Sequence, residues 1–179
     1  MPGAGYDMAL VAHVAAAVVG FGAIGAGGLE ASRGRRSSDP ARDLSLRRFF
    51  RPGKDWASAV IFLVPLIGLG LLFGGDRGDA TRPWPWIGLG LWTSAASVAM
   101  AALWPAERRA QRLLAELVAH LETAPVGQTA LVGGGRDVLG VATPAGAEAF
   151  RAACAVMERA AGVISVLFLV AVAVMIVQP

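Results

Sequence analysis

Four stretches of nearly unbroken apolar residues alternate with polar, arginine-rich segments along this chain. They run Asp7–Leu29, Trp56–Gly74, Trp86–Trp104 and Ala160–Val177. The second and third have 19 residues each, which as helices extend roughly 28 Å, close to the ~30 Å hydrocarbon core of a bilayer. Past Trp104 the apolar positions thin to a periodic stripe, Ala110, Leu113, Leu114, Leu117, Val118 and Leu121. Ahead of the fourth stretch a matching stripe, Phe150, Ala153, Cys154, Met157 and Ala161, begins near Pro144. Spacings of three and four residues predict amphipathic helix. The pattern therefore predicts an all-α fold: a four-transmembrane-helix bundle with helices three and four extended into the cytoplasm as an antiparallel pair. Residues 1–179 form one integral membrane domain, with cytoplasmic loops 30–55 and 105–159.

Composition supports the membrane class. The chain is 55% hydrophobic and 16% charged, with a mean hydropathy of +0.57, whereas soluble domains carry about 25% charged residues. The formal charge of +3 does not point to nucleic acid, because the basic residues flank apolar spans and no basic groove with interleaved aromatics is present. They set orientation instead. Arg33, Arg35, Arg36, Arg42, Arg47, Arg48, Arg51 and Lys54 follow the first span, and Arg108, Arg109, Arg112, Arg136, Arg151 and Arg159 lie between the third and fourth. The short loop between spans two and three has Arg77 and Arg82, offset by Asp76 and Asp79. The positive-inside rule places the basic loops in the cytoplasm and both termini outside, in a bacterial cytoplasmic membrane. Trp84 and Trp86 then fall at the outer boundary, Trp56 and Trp104 at the inner one, as interfacial tryptophans do. The first seven residues have no basic n-region, so the first apolar stretch is expected to be a retained span.

Several local features carry their own expectations. Asp39-Pro40 fits an N-cap with proline at the first helical position. The segment behind it, mixing Leu44, Leu46, Phe49 and Phe50 with arginines, reads either as a surface helix whose arginines meet anionic headgroups or as a plain linker. Pro65, Gly68 and Gly70 predict a kink in the second span. Arg77-Gly78-Asp79 reads as a turn, and Gly133-Gly134-Gly135-Arg136 as a connector that lacks the P-loop Lys-Ser/Thr. The single cysteine, Cys154, excludes an intrachain disulfide and reads as a small packed residue.

Ionisable residues inside a membrane are costly and mark function by default. Away from the span edges only His13 qualifies. It lies six residues past Asp7, roughly 9 Å along the axis, on a face shared with Ala16, Ala17, Gly20 and Gly27. Small-residue faces pack against other helices, so His13 should point into the bundle. Depth counting brings Gly68, Gly70, Trp92, Thr93, Ser94 and Met175 to its level. A neutral imidazole could be satisfied there by the Thr93 or Ser94 hydroxyl. Alternatively His13 could ligate a haem iron, bind copper with Met175 as a second ligand, or hydrogen-bond a quinone carbonyl. His120 falls in the cytoplasmic extension and reads as a solvated or helix-pair residue.

The succession of His13-Val14, Gly20-Phe21-Gly22, Gly25, Gly27-Gly28, a basic loop, a Pro/Gly-containing second span, and Trp104-Pro105 before an arginine cluster resembles a bacterial family of predicted four-helix integral membrane proteins of unknown function. That family is distantly similar to CopD-type copper-resistance domains and HemJ-type haem-biosynthesis membrane proteins. The resemblance implies that His13 stands at the position associated with metal or haem. In place of the Trp-x-Gly of those relatives this chain has Gly20-Phe21-Gly22.

No paired intramembrane carboxylates, Ser-His-Asp arrangement or histidine cluster is visible. The leading expectation is therefore a non-enzymatic accessory or interaction subunit that packs against itself or a larger membrane complex. The alternative is a redox or metal-associated protein using His13 to hold haem, copper or a quinone. An oligomeric small-molecule transporter is the third reading.

Overall fold

The computed structural model describes residues 4–51, 56–74, 81–123 and 144–177. The glycine-rich connector, the Gly133–Arg136 run within it and the Arg77-Gly78-Asp79 turn lie outside them. Every element is helical: α1 (Ala4–Arg36), α2 (Leu44–Phe49), α3 (Trp56–Ala59), a 3-10 turn (Val60–Phe62), α4 (Leu63–Gly74), α5 (Pro83–Val98), a π-helical turn (Ala99–Leu103), α6 (Trp104–Thr123) and α7 (Pro144–Ile176).

Small residues make α1 the packing helix. Its buried positions are Ala16, Gly20, Ile24, Gly27, Gly28, Ala31 and Gly34, a single stripe at three- and four-residue spacing that lets neighbouring backbones come close. Register along that stripe gives the topology. Phe21 stacks on Phe168 with ring centroids 4.3 Å apart, Gly28 faces Ala161, and Gly34 faces Cys154 and Phe150. Numbers rise on α1 as they fall on α7, so the two run antiparallel. The same holds for α1 against α4, where Gly20 meets Ile61 and Gly68 meets His13. Trp92 bonds to Ile61 and Trp104 to Ser58, so the α5–α6 rod runs antiparallel to the α3–α4 segment. The four long segments thus alternate in direction.

Three of them, Ala4–Arg36, Pro83–Thr123 and Ala145–Ile176, are long and apolar enough to cross a membrane. Their outward faces carry large apolar side chains such as Val11, Val14, Val18, Val163, Val166 and Leu169. That much exposed apolar surface is unstable in water and suits lipid. The second apolar stretch departs from a plain 19-residue helix. Its apolar part, Val60–Gly74, is shorter than the others and opens with the 3-10 turn. The cause is Pro65, which has no N–H to donate to the carbonyl of Ile61. The Trp92 indole donates there instead, at 2.9 Å.

The third segment does continue past Trp104, as one 41-residue rod, but through an unforeseen π turn. Pro105 is again the reason. Its ring would clash with the carbonyl four residues back, and a π turn widens the helix just ahead of it. The Trp104 N–H bonds to Ala99 O, five residues back.

Beyond this point α6 buries Ala106, Ala110, Gln111, Leu114 and Leu117 where α7 buries Ala147, Phe150, Ala153, Cys154 and Met157. Short α2 closes the end, with Leu46 and Phe50 buried and Phe50 edge-on to Phe150 at 5.5 Å. The expected start of that helix at Pro40 is corrected. Asp43 is the N-cap, accepting from the Ser45 and Leu46 N–H groups, while Asp39 accepts from Arg42 N–H in a separate turn. Buried Pro40 and Ala41 turn the chain so that Leu46 and Phe50 reach the core. The bond from the Ser45 side chain and those from the Leu46 and Ser45 backbone hold the Asp43 carboxyl below its ordinary pKa, against a smaller opposing effect of burial. Burial, reinforced by the Glu158 carboxylate, pushes the Cys154 thiol up to about 12.

Candidate functional site

His13 sits at the end of the bundle where the start of α1, the end of α7, α4 and the start of α5 come together. Its imidazole lies against Gly68. A Cβ on that glycine would meet Cε1 at 2.9 Å and Nδ1 at 3.4 Å, so the helices approach here only because residue 68 has no side chain. Nδ1 is buried without a hydrogen-bond partner.

The adjoining cavity has a volume of about 170 Å³ and is walled by Tyr6, Leu10, His13, Pro65, Gly68, Trp84, Pro85, Trp86, Trp92 and Met175, among others. Cavities of roughly 150 Å³ accept a single benzene ring, so its size is that of one six-membered ring. Three indoles and a phenol supply flat apolar walls of the kind that pack against such a ring. Trp84 adds a second orphan, since its Nε1–H is buried and unpartnered. Each unsatisfied buried polar atom costs about 1–3 kcal/mol. Both residues line this cavity, which therefore lies beside two unmet hydrogen-bonding groups.

Of the residues expected around His13, Gly68, Trp92 and Met175 share this cavity with it. Gly70 is open to the outside with nothing near its missing side chain. Thr93 and Ser94 are exposed, and their hydroxyls bond to Leu89 O and Gly90 O of their own helix at 2.8 and 2.9 Å. They face away because one helical position is worth 100° of rotation, and Trp92 holds the inward place. The satisfied-histidine reading through Thr93 or Ser94 therefore has no support in the geometry. Sequence reading placed Trp84 only as an interfacial tryptophan and did not bring Tyr6 or Pro65 to the site. The aromatic–proline alternation of Pro83-Trp84-Pro85-Trp86 was the available signal. His120 is exposed on α6, away from this end.

Haem and copper can be tested against these residues. His13 and Met175 are one imidazole and one thioether. No group of three or more His, Cys, Asp or Glu side chains that could hold a metal occurs among the described residues. Copper sites draw on three or four donors, and a porphyrin is several times larger than a single-ring cavity. Neither group fits this pocket.

No family model, curated protein or solved structure matches the chain. The fold and its outward apolar surface define the class by themselves: a multi-pass helical membrane protein. Within that class, its distinguishing element is an aromatic cavity closed by one histidine.

Proposed function

We propose that this chain is a four-span protein of the bacterial cytoplasmic membrane, with both termini outside and the α6–α7 pair projecting into the cytoplasm. In this reading it is a non-catalytic subunit that binds a ring-sized neutral molecule in the His13 cavity. The observation that carries it is that His13 and Trp84, each with an unpartnered buried nitrogen, both line one aromatic cavity. A carbonyl or hydroxyl on the ligand takes a hydrogen bond from the His13 imidazole, or gives one to it. The indole N–H of Trp84, buried and unpartnered, supplies a second donor. A quinone head meets these requirements, and the arginine-rich segments account for the orientation.

Trp84, Trp86 and Trp92 line the cavity, so tryptophan fluorescence reports occupancy. Titration of a simple methoxy-benzoquinone into the purified protein in lipid nanodiscs should give saturable quenching. His13→Leu should weaken binding by roughly tenfold, the value of one lost hydrogen bond to a buried group. Quenching that stays linear in wild type, or is indifferent to His13→Leu, sinks the reading.

A further inference from the structure

A second cavity adjoins the first. It has a volume of about 340 Å³, twice that of the ring cavity, and shares His13, Val64, Gly88, Trp92 and Met175 with it. From His13 it runs along Ala17 and Phe21 of α1, with Phe168 and Ala171 of α7 opposite. Ala17 and Phe21 lie one and two helical turns deeper than His13, which puts the far end roughly 12 Å along the axis from the imidazole. The Phe21–Phe168 stack is part of its wall. Val14 and Val18, also on its wall, are themselves half exposed on the outward face, so the cleft opens sideways toward lipid.

Resting on the ring-binding reading above, we propose that the two cavities are the head and tail halves of one site, and that its occupant is a ring-headed lipid with a long apolar tail. Three observations favour this occupant over a small free solute. Trp84, with its orphan indole nitrogen, lines the ring-sized half alone, while the larger half is lined by apolar residues apart from the shared His13 and Trp92. The tail half leads away from the bundle end toward the helix middle, the direction a lipid tail takes from an interfacial head. Its sideways opening gives a membrane-dissolved molecule a route in without crossing water. Met175 stands between the halves, its Cε 3.7 Å from where a Cβ on Gly88 would lie, and an unbranched thioether shifts readily to let a chain pass.

The test uses the full chain in nanodiscs and a methoxy-benzoquinone carrying a decyl tail with a diazirine at its middle. After illumination, adducts should map to the stretches of α1 and α7 around Phe21 and Ala171, and excess untagged decyl-quinone should remove them. Ala171→Phe fills the tail half and should lower this labelling by roughly tenfold, with quenching by the tailless ring unchanged. Ala17→Leu fills it from the opposite wall and should act in the same direction if the bulkier variant does not fold. Adducts spread over lipid-facing Leu66 and Val166, insensitive to both variants, overturn the tail half and leave ring binding standing. No saturable quenching by the tailless ring in wild type overturns both.

Discussion

Gly28 packs tightly against Ala161 of α7, and adding one methyl there tests the packing argument directly. A Cβ on residue 28 would lie 2.6 Å from the Ala161 Cβ, whereas carbon atoms rest at about 3.5–4.0 Å. Neither methyl can rotate away, so α1 and α7 must part by about 1 Å, a gap that forfeits a quarter to a half of each dispersion contact it touches. Those contacts include Phe21–Phe168 and the seat of Cys154 and Phe150 against Gly34. Overpacking of this kind costs about 1–3 kcal/mol, and the better helix propensity of alanine returns at most about 1 kcal/mol. Gly28→Ala should therefore be destabilised by about 1–2 kcal/mol. Ala161→Gly alone should lose about 1 kcal/mol of helix propensity. The double variant moves the methyl from one helix to the other and should return to within about 0.5 kcal/mol of wild type, a coupling of roughly 2 kcal/mol. Reversible unfolding in mixed micelles with SDS, followed by tryptophan fluorescence, measures all four corners. Simple additivity, with the double variant as weak as the two losses summed, would refute the close approach. Gly22→Ala, with nothing within 4 Å of its missing side chain, is the control and should not be destabilised.

Two other predictions concern different parts of the fold. Gly20→Ala should be harsher than Gly28→Ala, by about 1 kcal/mol, because its Cβ would meet Ile61 backbone N at 2.8 Å and displace the carbonyl that Trp92 bonds; if Trp92→Phe costs as much in the Gly20→Ala background as in wild type, that link is wrong. Cys154 should resist maleimide in the folded protein at pH 8, because its thiol holds its proton up to about 12 and is fully buried. The thiolate gained by the unfolded chain above the ordinary value of 9.0 has no counterpart in the folded state, so alkaline conditions favour unfolding and reactivity should rise between pH 9 and 12; rapid labelling of the native protein at pH 8 would contradict the burial.

How much of this was legible beforehand varies with the range of the interaction that decided it. The extension of α6 past Trp104 and the start of α7 at Pro144 follow from local periodicity, since a 3.6-residue repeat needs only its own segment to be read. The placement of Asp43 rather than Asp39 as the cap of α2 did not follow, because both carboxylates are competent caps. The choice was made by the burial of Pro40, Ala41, Leu46 and Phe50 against distant helices. The same division appears at the site. His13 stood out as a charge-capable group inside an apolar run. Gly68, Trp92 and Met175 came near it by depth counting, but the rotation of α5 that admits Trp92 and excludes Thr93 and Ser94 is invisible to depth alone.

By itself, the sequence determined the helical class, the membrane character and the small-residue face of α1, because hydropathy and periodicity are properties of single segments in a lipid or aqueous surround. Only the tertiary structure decided which neighbours fill the gaps left by two prolines: the Trp92 indole supplies the donor that Pro65 lacks, and a π turn makes room for Pro105. Only it gathered His13, Trp84 and Trp92 around one ring-sized space. A cavity belongs to no segment; it is what remains when four helices, each packed as closely as its glycines permit, fail to meet.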